Sequence, residues 1–350
     1  MSPDAPVGPE PSDENVHEPG PEPLWNESWY FDFTDEAGTL GGYVRLGLYP
    51  NLGVAWYWAC LVGEGRPLTT VLDHEVPLPT SPRSLAVRAE GLWADHTVEA
   101  PLDHMSLACE AFATALDDPA QVYARAHGDR VPFGLDLEWE TDGRPYAWPG
   151  VARYEVPCRV SGEVLVGSEA LELDGWGQRD HSWGVRDWWE PRWLWTAGRL
   201  RDGTRFHAGD VAFGDARIYA TGYVQHPGSA PEPATPDRID HGESLGPDGL
   251  PAAGDARIGP LDLAVEPVAF APVLLVAPDG RVSRLPRALC RFTDRPTGRT
   301  GAGWTEWTQP QAGCRHRPRR ARVPRRRRGA TRARRPAHTR RPRRPRCESR

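Results

Sequence analysis

Short runs of aromatic and β-branched residues, cut off by Pro, Gly and Asp-Gly pairs, recur from Trp25 to Phe292. They constrain the fold most, because no segment carries apolar residues at helical period. Gly42 to Tyr49 and Gly53 to Val62 read as strands, as do Thr69 to Leu78, Ser84 to Trp93, His104 to Ala113 and Val131 to Glu140. Beyond the chain's midpoint, Trp193 to Leu200, Arg205 to Phe213, Ile218 to Gln225, Ile258 to Val265, Val273 to Val276, Val282 to Leu285 and Ala288 to Phe292 continue the pattern. Asp142-Gly143, Asp202-Gly203 and Asp279-Gly280 are hairpin signals. Asp117-Asp118-Pro119 opens a turn or one short helix, and His226 to Pro251 is a loop or lid. The expected class is all-β. The length of 350 residues exceeds one small barrel and predicts two β-barrel domains packed on each other.

Domain limits follow from composition. Residues 1–23 are Pro-rich and acidic with little to bury, and are expected to be a disordered tail. Residues 24–167 form the first domain and 168–310 the second, with the boundary near Gly167. Residues 311–350 form a second disordered tail. The chain has no Lys, and 18 of its 42 Arg lie between Arg315 and Arg350 against one acid, Glu348. The rest holds 24 Arg against 47 acids, a net of −23, which repels nucleic acid and anionic membrane. The basic tail reads either as a nucleic-acid-binding arm or as a GC-rich gene read out of frame. The second reading is favoured.

The start of the chain lacks the apolar core of a secretory signal, and no run is long enough for a membrane helix. The six Cys show no C-x-x-C spacing, and Cys60, Cys109 and Cys290 sit in apolar runs as core residues. A cytoplasmic location is the expectation.

The chemistry is concentrated in one stretch. Six of the 15 Trp fall between Trp176 and Trp195, together with Arg179, Asp180, His181, Arg186 and Asp187. A Trp wall with a few polar groups reads as an apolar ligand pocket at the domain junction, lined by Trp176, Trp183, Trp188, Trp189, Arg179 and Arg186. The alternative is that Asp180 and Asp187 pair with nearby Arg and pin the junction. His181 is either an acid–base group partnered by Asp180 or a structural ring bonding a carbonyl. No metal site or cofactor site is expected; Gly175-x-Gly177 without a following helix is no dinucleotide motif.

The run Gly175-x-Gly177-x-Arg179-Asp180-His181-Ser182-Trp183-Gly184 resembles the G-x-x-D-H-x-W-G signature of the carotenoid 1,2-hydratase and AttH-like superfamily. Glu27 to Phe33 and Gly41 to Leu46 look like a branch of the same group, and the resemblance covers Trp25 to about Trp307. It implies two lipocalin-like barrels and hydration, isomerisation or cyclisation of apolar polyenes. In the hydratases the motif's His and Trp are thought to protonate a terminal isoprene bond with a downstream Tyr-x-Asp. His181 and Trp183 match. Asp210 is the nearest downstream acid, with Ala208 where the Tyr would fall and Tyr223 as a substitute. Three functions stay open: an enzyme on a terpenoid, polyene or lipid-like molecule; a non-catalytic carrier of such a ligand; and a nucleic-acid-associated protein acting through the Arg tail.

Overall fold

The computed structural model describes residues 8–311, apart from 82, 125 and 126. Its first sheet closes on itself. Eight strands follow one another around a ring: β1 (Trp25–Asp35), β2 (Leu40–Tyr49), β3 (Val54–Gly63), β4 (Leu68–Pro77), β5 (His104–Leu116), β6 (Asp129–Thr141), β7 (Arg153–Val166) and β8 (Glu169–Val185). β8 returns to pair antiparallel with β1, from Trp25↔Val185 to Asp35↔Gly175. The ring also closes where Leu68 to Thr70 of β4 meet Thr114 to Leu116 of β5. Closure covers most of the open strand edges that invite aggregation, and the sheet runs on past β5 into Leu92–Ala100 and Val87–Ala89.

The second sheet contains β9 (Arg192–Leu200), β10 (Arg205–Phe213), β11 (Ala216–Gln225), β12 (Gly254–Ile258), β13 (Leu261–Phe270), β14 (Arg287–Asp294) and β15 (Thr300–Trp307). Its order is Glu232–Pro233, β11, β10, β9, β15, β14, β13, β12, Pro236–Ile239. It curls until β10 and β11 pack against Pro236–Ile239 and β12. A small sheet of Val273–Val276, Val282–Leu285 and Gln309–Gln311 stands apart from this path. The chain is all-β, with two lipocalin-like units; the described residues contain no α-helix, and no helix long and apolar enough to cross a membrane.

Side chains alternate across each strand, so two curled sheets pressed together make three apolar layers. Trp29, Phe31 and Phe33 of β1 fill the first barrel. Tyr30 points the other way, into a layer with Trp58, Trp188, Trp195 and Trp304 between the sheets. Phe206, Leu263 and Phe292 fill the second sheet. At ~25 cal/mol per Å², each fully buried aromatic contributes on the order of 4 kcal/mol before chain entropy is counted. Directional bonds fix the docking: Tyr43 Oη donates to Ala271 O at 2.9 Å, and Trp304 Nε1 donates to Phe33 O at 3.0 Å.

Several expectations change. The boundary expected near Gly167 falls in the β7–β8 turn of the first barrel, and the chain passes to the second sheet after Val185 and before Arg192. Ser84 to Trp93 is not one strand; Val87–Ala89 and Leu92–Ala100 meet at a turn where Gly91 has φ +73°. Asp142-Gly143 does not close a tight hairpin. It opens an excursion that pairs Tyr146–Ala147 with β7 and carries Trp148 between the sheets. Asp118 caps a 3₁₀ turn at Pro119–Tyr123 through Ala120 N at 3.0 Å. His226 to Pro251 is a loop apart from Glu232–Pro233, Pro236–Ile239 and the Leu245↔Pro251 bridge. Cys60, Cys109, Cys158 and Cys290 are buried free thiols.

Of the tail expected over residues 1–23, residues 8–23 are placed, and they are not free. A 3₁₀ turn, Pro11–Glu14, delivers the Glu14 carboxylate to the buried Arg179 at 2.6 Å and to the Tyr154 hydroxyl. Residues 1–7 and the Arg-rich segment from 312 lie outside the described residues. Removing one partner of a buried pair leaves an uncompensated charge and costs about 3–5 kcal/mol. Glu14→Ala should therefore lower the urea midpoint of the full chain by that equivalent. An unchanged midpoint would restore the view of residues 8–23 as dispensable.

Candidate active site

The Trp-rich motif is a strand, β8, hydrogen-bonded on both sides. Trp29 of β1 and Tyr154 of β7 lie opposite His181, while Tyr30 and Glu155 lie opposite Asp180. Gly177 permits the close β1–β8 approach, since a Cβ there would lie 1.9 Å from Asp32 O. Neighbouring residues of a strand face opposite ways, so Arg179, His181 and Trp183 enter the first barrel. Asp180 and Ser182 face the second sheet. The expected His181–Asp180 pair cannot form.

On the first side, His181 is fully buried. Its Nε2 lies 2.8 Å from Glu27 Oε1 and its Nδ1 3.1 Å from the Tyr154 hydroxyl, and its ring stacks on Trp29 at 4.4 Å. His17 Nδ1 bonds the same Glu27 oxygen at 2.7 Å, and its ring stacks on Trp183 at 3.8 Å. Burial pushes the Glu27 carboxyl up, but the bonds from His17 and His181 outweigh it and hold it below the usual range. The ligating atoms of His17, Glu27 and His181 lie within 4.8 Å of one another, a spacing that could hold a metal ion. Here direct hydrogen bonds already join them.

On the other side lies a cavity of about 360 Å³ between the sheets. Its apolar walls include Tyr30, Trp148, Trp188, Trp193, Trp195 and Tyr219. Asp180 borders it, and its Oδ2 accepts from Arg153 Nη2 at 2.7 Å. Arg153 Nε donates to Glu155 Oε1, also at 2.7 Å. One guanidinium thus serves two buried carboxylates set directly opposite on adjacent strands, a pairing that repels. Burial raises the Asp180 carboxyl; Arg153 pulls it back and Glu155 raises it again, leaving it near 7, pushed up to about 7 from the ordinary 3.8. A carboxyl whose proton affinity burial has raised thus stands in an aromatic pocket.

Of the residues read from the sequence, Asp180, Trp188 and Arg186 line this cavity. Arg186 pairs with no acid among the described residues; its Nη2 donates to Ser182 Oγ at 2.8 Å. Arg179 pairs with Glu14 in the first barrel, and Trp183 stacks there on His17. Trp176 lies elsewhere, under Arg199 at 3.5 Å. Trp189 is buried and donates to Leu275 O at 3.2 Å. Tyr223 donates to Gln178 Oε1 at 3.1 Å. Asp210 is held by Arg217 and by His241 Nε2 at 3.0 Å, on the face of β10 away from the cavity. Asp187 borders the cavity but is paired with Arg281 at 3.1 Å.

The sequence reading missed Arg45, Trp148, Arg153, Arg287 and Glu306, all at the cavity wall. One signal was available. Arg45 is a single charge inside the apolar run Gly42 to Tyr49, and a buried charge needs a reason. Gly47 makes room for it, because a Cβ there would lie 2.4 Å from Arg45 Nη1.

Solved structures with this fold are similar over most of their length. A putative AttH from Nitrosomonas europaea aligns with a TM-score of 0.57 at 15% identity, over 87% of this chain and 98% of that one. Kievitone hydratase from Nectria haematococca aligns at 0.54 and 11%, over 83% and 91%. CghA, crystallised with Sch210972, aligns at 0.52 and 12%, over 81% and 88%. At these identities the likeness is one of fold, and it agrees with the AttH-like resemblance carried by Gly175 to Gly184. A search of curated protein sequences finds no match. The model of the family described as "Domain of unknown function (DUF7064)" matches residues 10–311, and the chain belongs to that family.

Proposed function

We propose that the chain is an enzyme that moves a proton on an apolar, unsaturated small molecule held between the two sheets, with Asp180 as the acid–base group. The observation that carries this reading is the placement of Asp180: buried, open to an aromatic cavity, and sharing one guanidinium with Glu155. The neutral acid gives its proton to one carbon of a double bond, whose π electrons form the new C–H bond. The adjacent carbon becomes cationic, and nearby indole faces stabilise it. The Asp180 carboxylate then removes a proton from a neighbouring carbon, which shifts the double bond. If water adds instead, the carboxylate takes the proton that the water releases, which completes hydration. Either route returns Asp180 to its starting form. His181 takes the role of a positioning residue, holding β8 from inside the barrel through Glu27 and Tyr154.

Incubating the protein with a panel of polyenes and terpenoid alkenes in D₂O tests this. Deuterium should enter a carbon position of a bound compound. Asp180→Asn should reduce that rate by about 10²–10⁴-fold, while quenching of tryptophan emission by the ligand stays within a few-fold. Binding without deuterium incorporation would make the protein a carrier, and full exchange by Asp180→Asn would remove Asp180 from the chemistry.

The pH dependence has a definite sign. The reaction starts from the protonated acid, so exchange should fall as pH rises through about 7. The same raised folded-state value binds a proton that the unfolded chain releases near the ordinary 3.8. Its contribution to stability is complete below that point and is lost as pH rises through about 7. Urea unfolding at pH 5 and pH 8 should show a smaller drop in Asp180→Asn than in the parent protein. Equal drops would contradict the raised value.

A further inference from the structure

Four guanidiniums border the cavity between the sheets: Arg45, Arg153, Arg186 and Arg287. Two are neutralised, Arg153 by Glu155 and Asp180, and Arg287 by Glu306 at 2.9 Å. The other two meet no carboxylate among the described residues. Arg45 is 2% exposed, yet its best hydrogen bond is a long 3.5 Å contact from Nη2 to the Tyr49 hydroxyl, and its Nη1 has no partner. Arg186 has the Ser182 hydroxyl alone. Both lie against one indole, with Arg45 Cζ 5.0 Å and Arg186 Cζ 5.1 Å from the Trp188 ring centroid. Trp188 is itself fixed by its Nε1 bond to the Tyr49 hydroxyl at 2.9 Å.

Two like charges on one buried ring repel, and a buried donor without a partner is costly. Burial, then Arg153 and Arg45, lower the Arg186 guanidinium to about 10. Aromatic stacking and the more distant Asp180 carboxyl offset part of this, but no carboxylate among the described residues is seated against either guanidinium. A guanidinium pair at the end of an aromatic cavity matches the planar fork of a carboxylate.

We propose that the ligand of the cavity is an apolar carboxylic acid whose carboxylate seats between Arg45 and Arg186, beside Trp188. The proposal rests on the reading that this cavity is the ligand site. The acid end sets which part of the hydrocarbon chain reaches Asp180, so the Arg pair selects both substrate class and reacting position.

The probes are polyene carboxylic acids of graded length, each paired with its methyl ester and read by quenching of tryptophan emission in the full chain. The acids should bind at least about tenfold more tightly than their esters. Arg45→Met and Arg186→Met should each remove most of that preference and leave ester binding nearly unchanged. Equal binding of acid and ester by the parent protein would overturn the proposal and leave the cavity reading standing. Failure of every acid and every ester to bind would overturn both. A second measurement separates ligand binding from structure: without ligand, Arg45→Met should unfold at the same urea concentration as the parent protein or higher. A large loss of stability would make Arg45 a structural residue and defeat the proposal.

Discussion

A strand covered on both faces is the constraint on which the site depends. β1, β7 and β8 are walls shared by the first barrel and the layer between the sheets, so each successive residue enters a different environment. His181 and Asp180 are adjacent in sequence, yet one joins Glu27, Tyr154 and Trp29 inside the barrel and the other opens onto the cavity. The barrel side locks the backbone of β8 through a continuous set of hydrogen bonds reaching back to Glu14 and His17. The cavity side differs in charge: Arg45 and Arg186 meet no carboxylate there among the described residues. Support from the barrel side holds the Asp180 side chain where the proposed reaction needs it.

Charge is the second organising term. The buried layers contain several guanidiniums and carboxylates, each expensive to remove from water unless paired. In the first barrel each buried charge has an opposite partner, Arg179 with Glu14 and His181 with Glu27, although Arg179 Nε and Nη2 bond nothing among the described residues. Between the sheets this does not hold. Two carboxylates share Arg153, while Arg45 and Arg186 have no acid of their own among the described residues. Such imbalance is unfavourable for stability alone, and it is the feature on which the proposed ligand site rests.

Much of the architecture was legible in the sequence. Asp202-Gly203 and Asp279-Gly280 closed hairpins with Gly203 and Gly280 at positive φ, as their turn chemistry requires. Of the Trp between Trp176 and Trp195, Trp188, Trp189 and Trp195 are buried between the two sheets. Face assignment was not legible, because period-two alternation vanishes where both faces are apolar: Trp25 to Thr34 is buried at every position. For the same reason the motif read as a pocket lining rather than as a strand dividing two interiors. Residues 8–23 misled through composition; a Pro-rich acidic segment normally stays solvated, and its anchor, Glu14, has meaning only beside Arg179. Asp142-Gly143 carried a hairpin signal that was overridden by packing, with Gly143 set close against Pro157 and Gln225.

The most direct measurement of the central claim is a crystal structure grown with a bromine-labelled apolar ligand and phased on the bromine signal. The account places the bromine between the sheets, beside Trp148, Trp188 and Trp195 and within reach of Asp180. Bromine inside the first barrel, against His181 and Trp183, would contradict it and return the chemistry to the other face of β8.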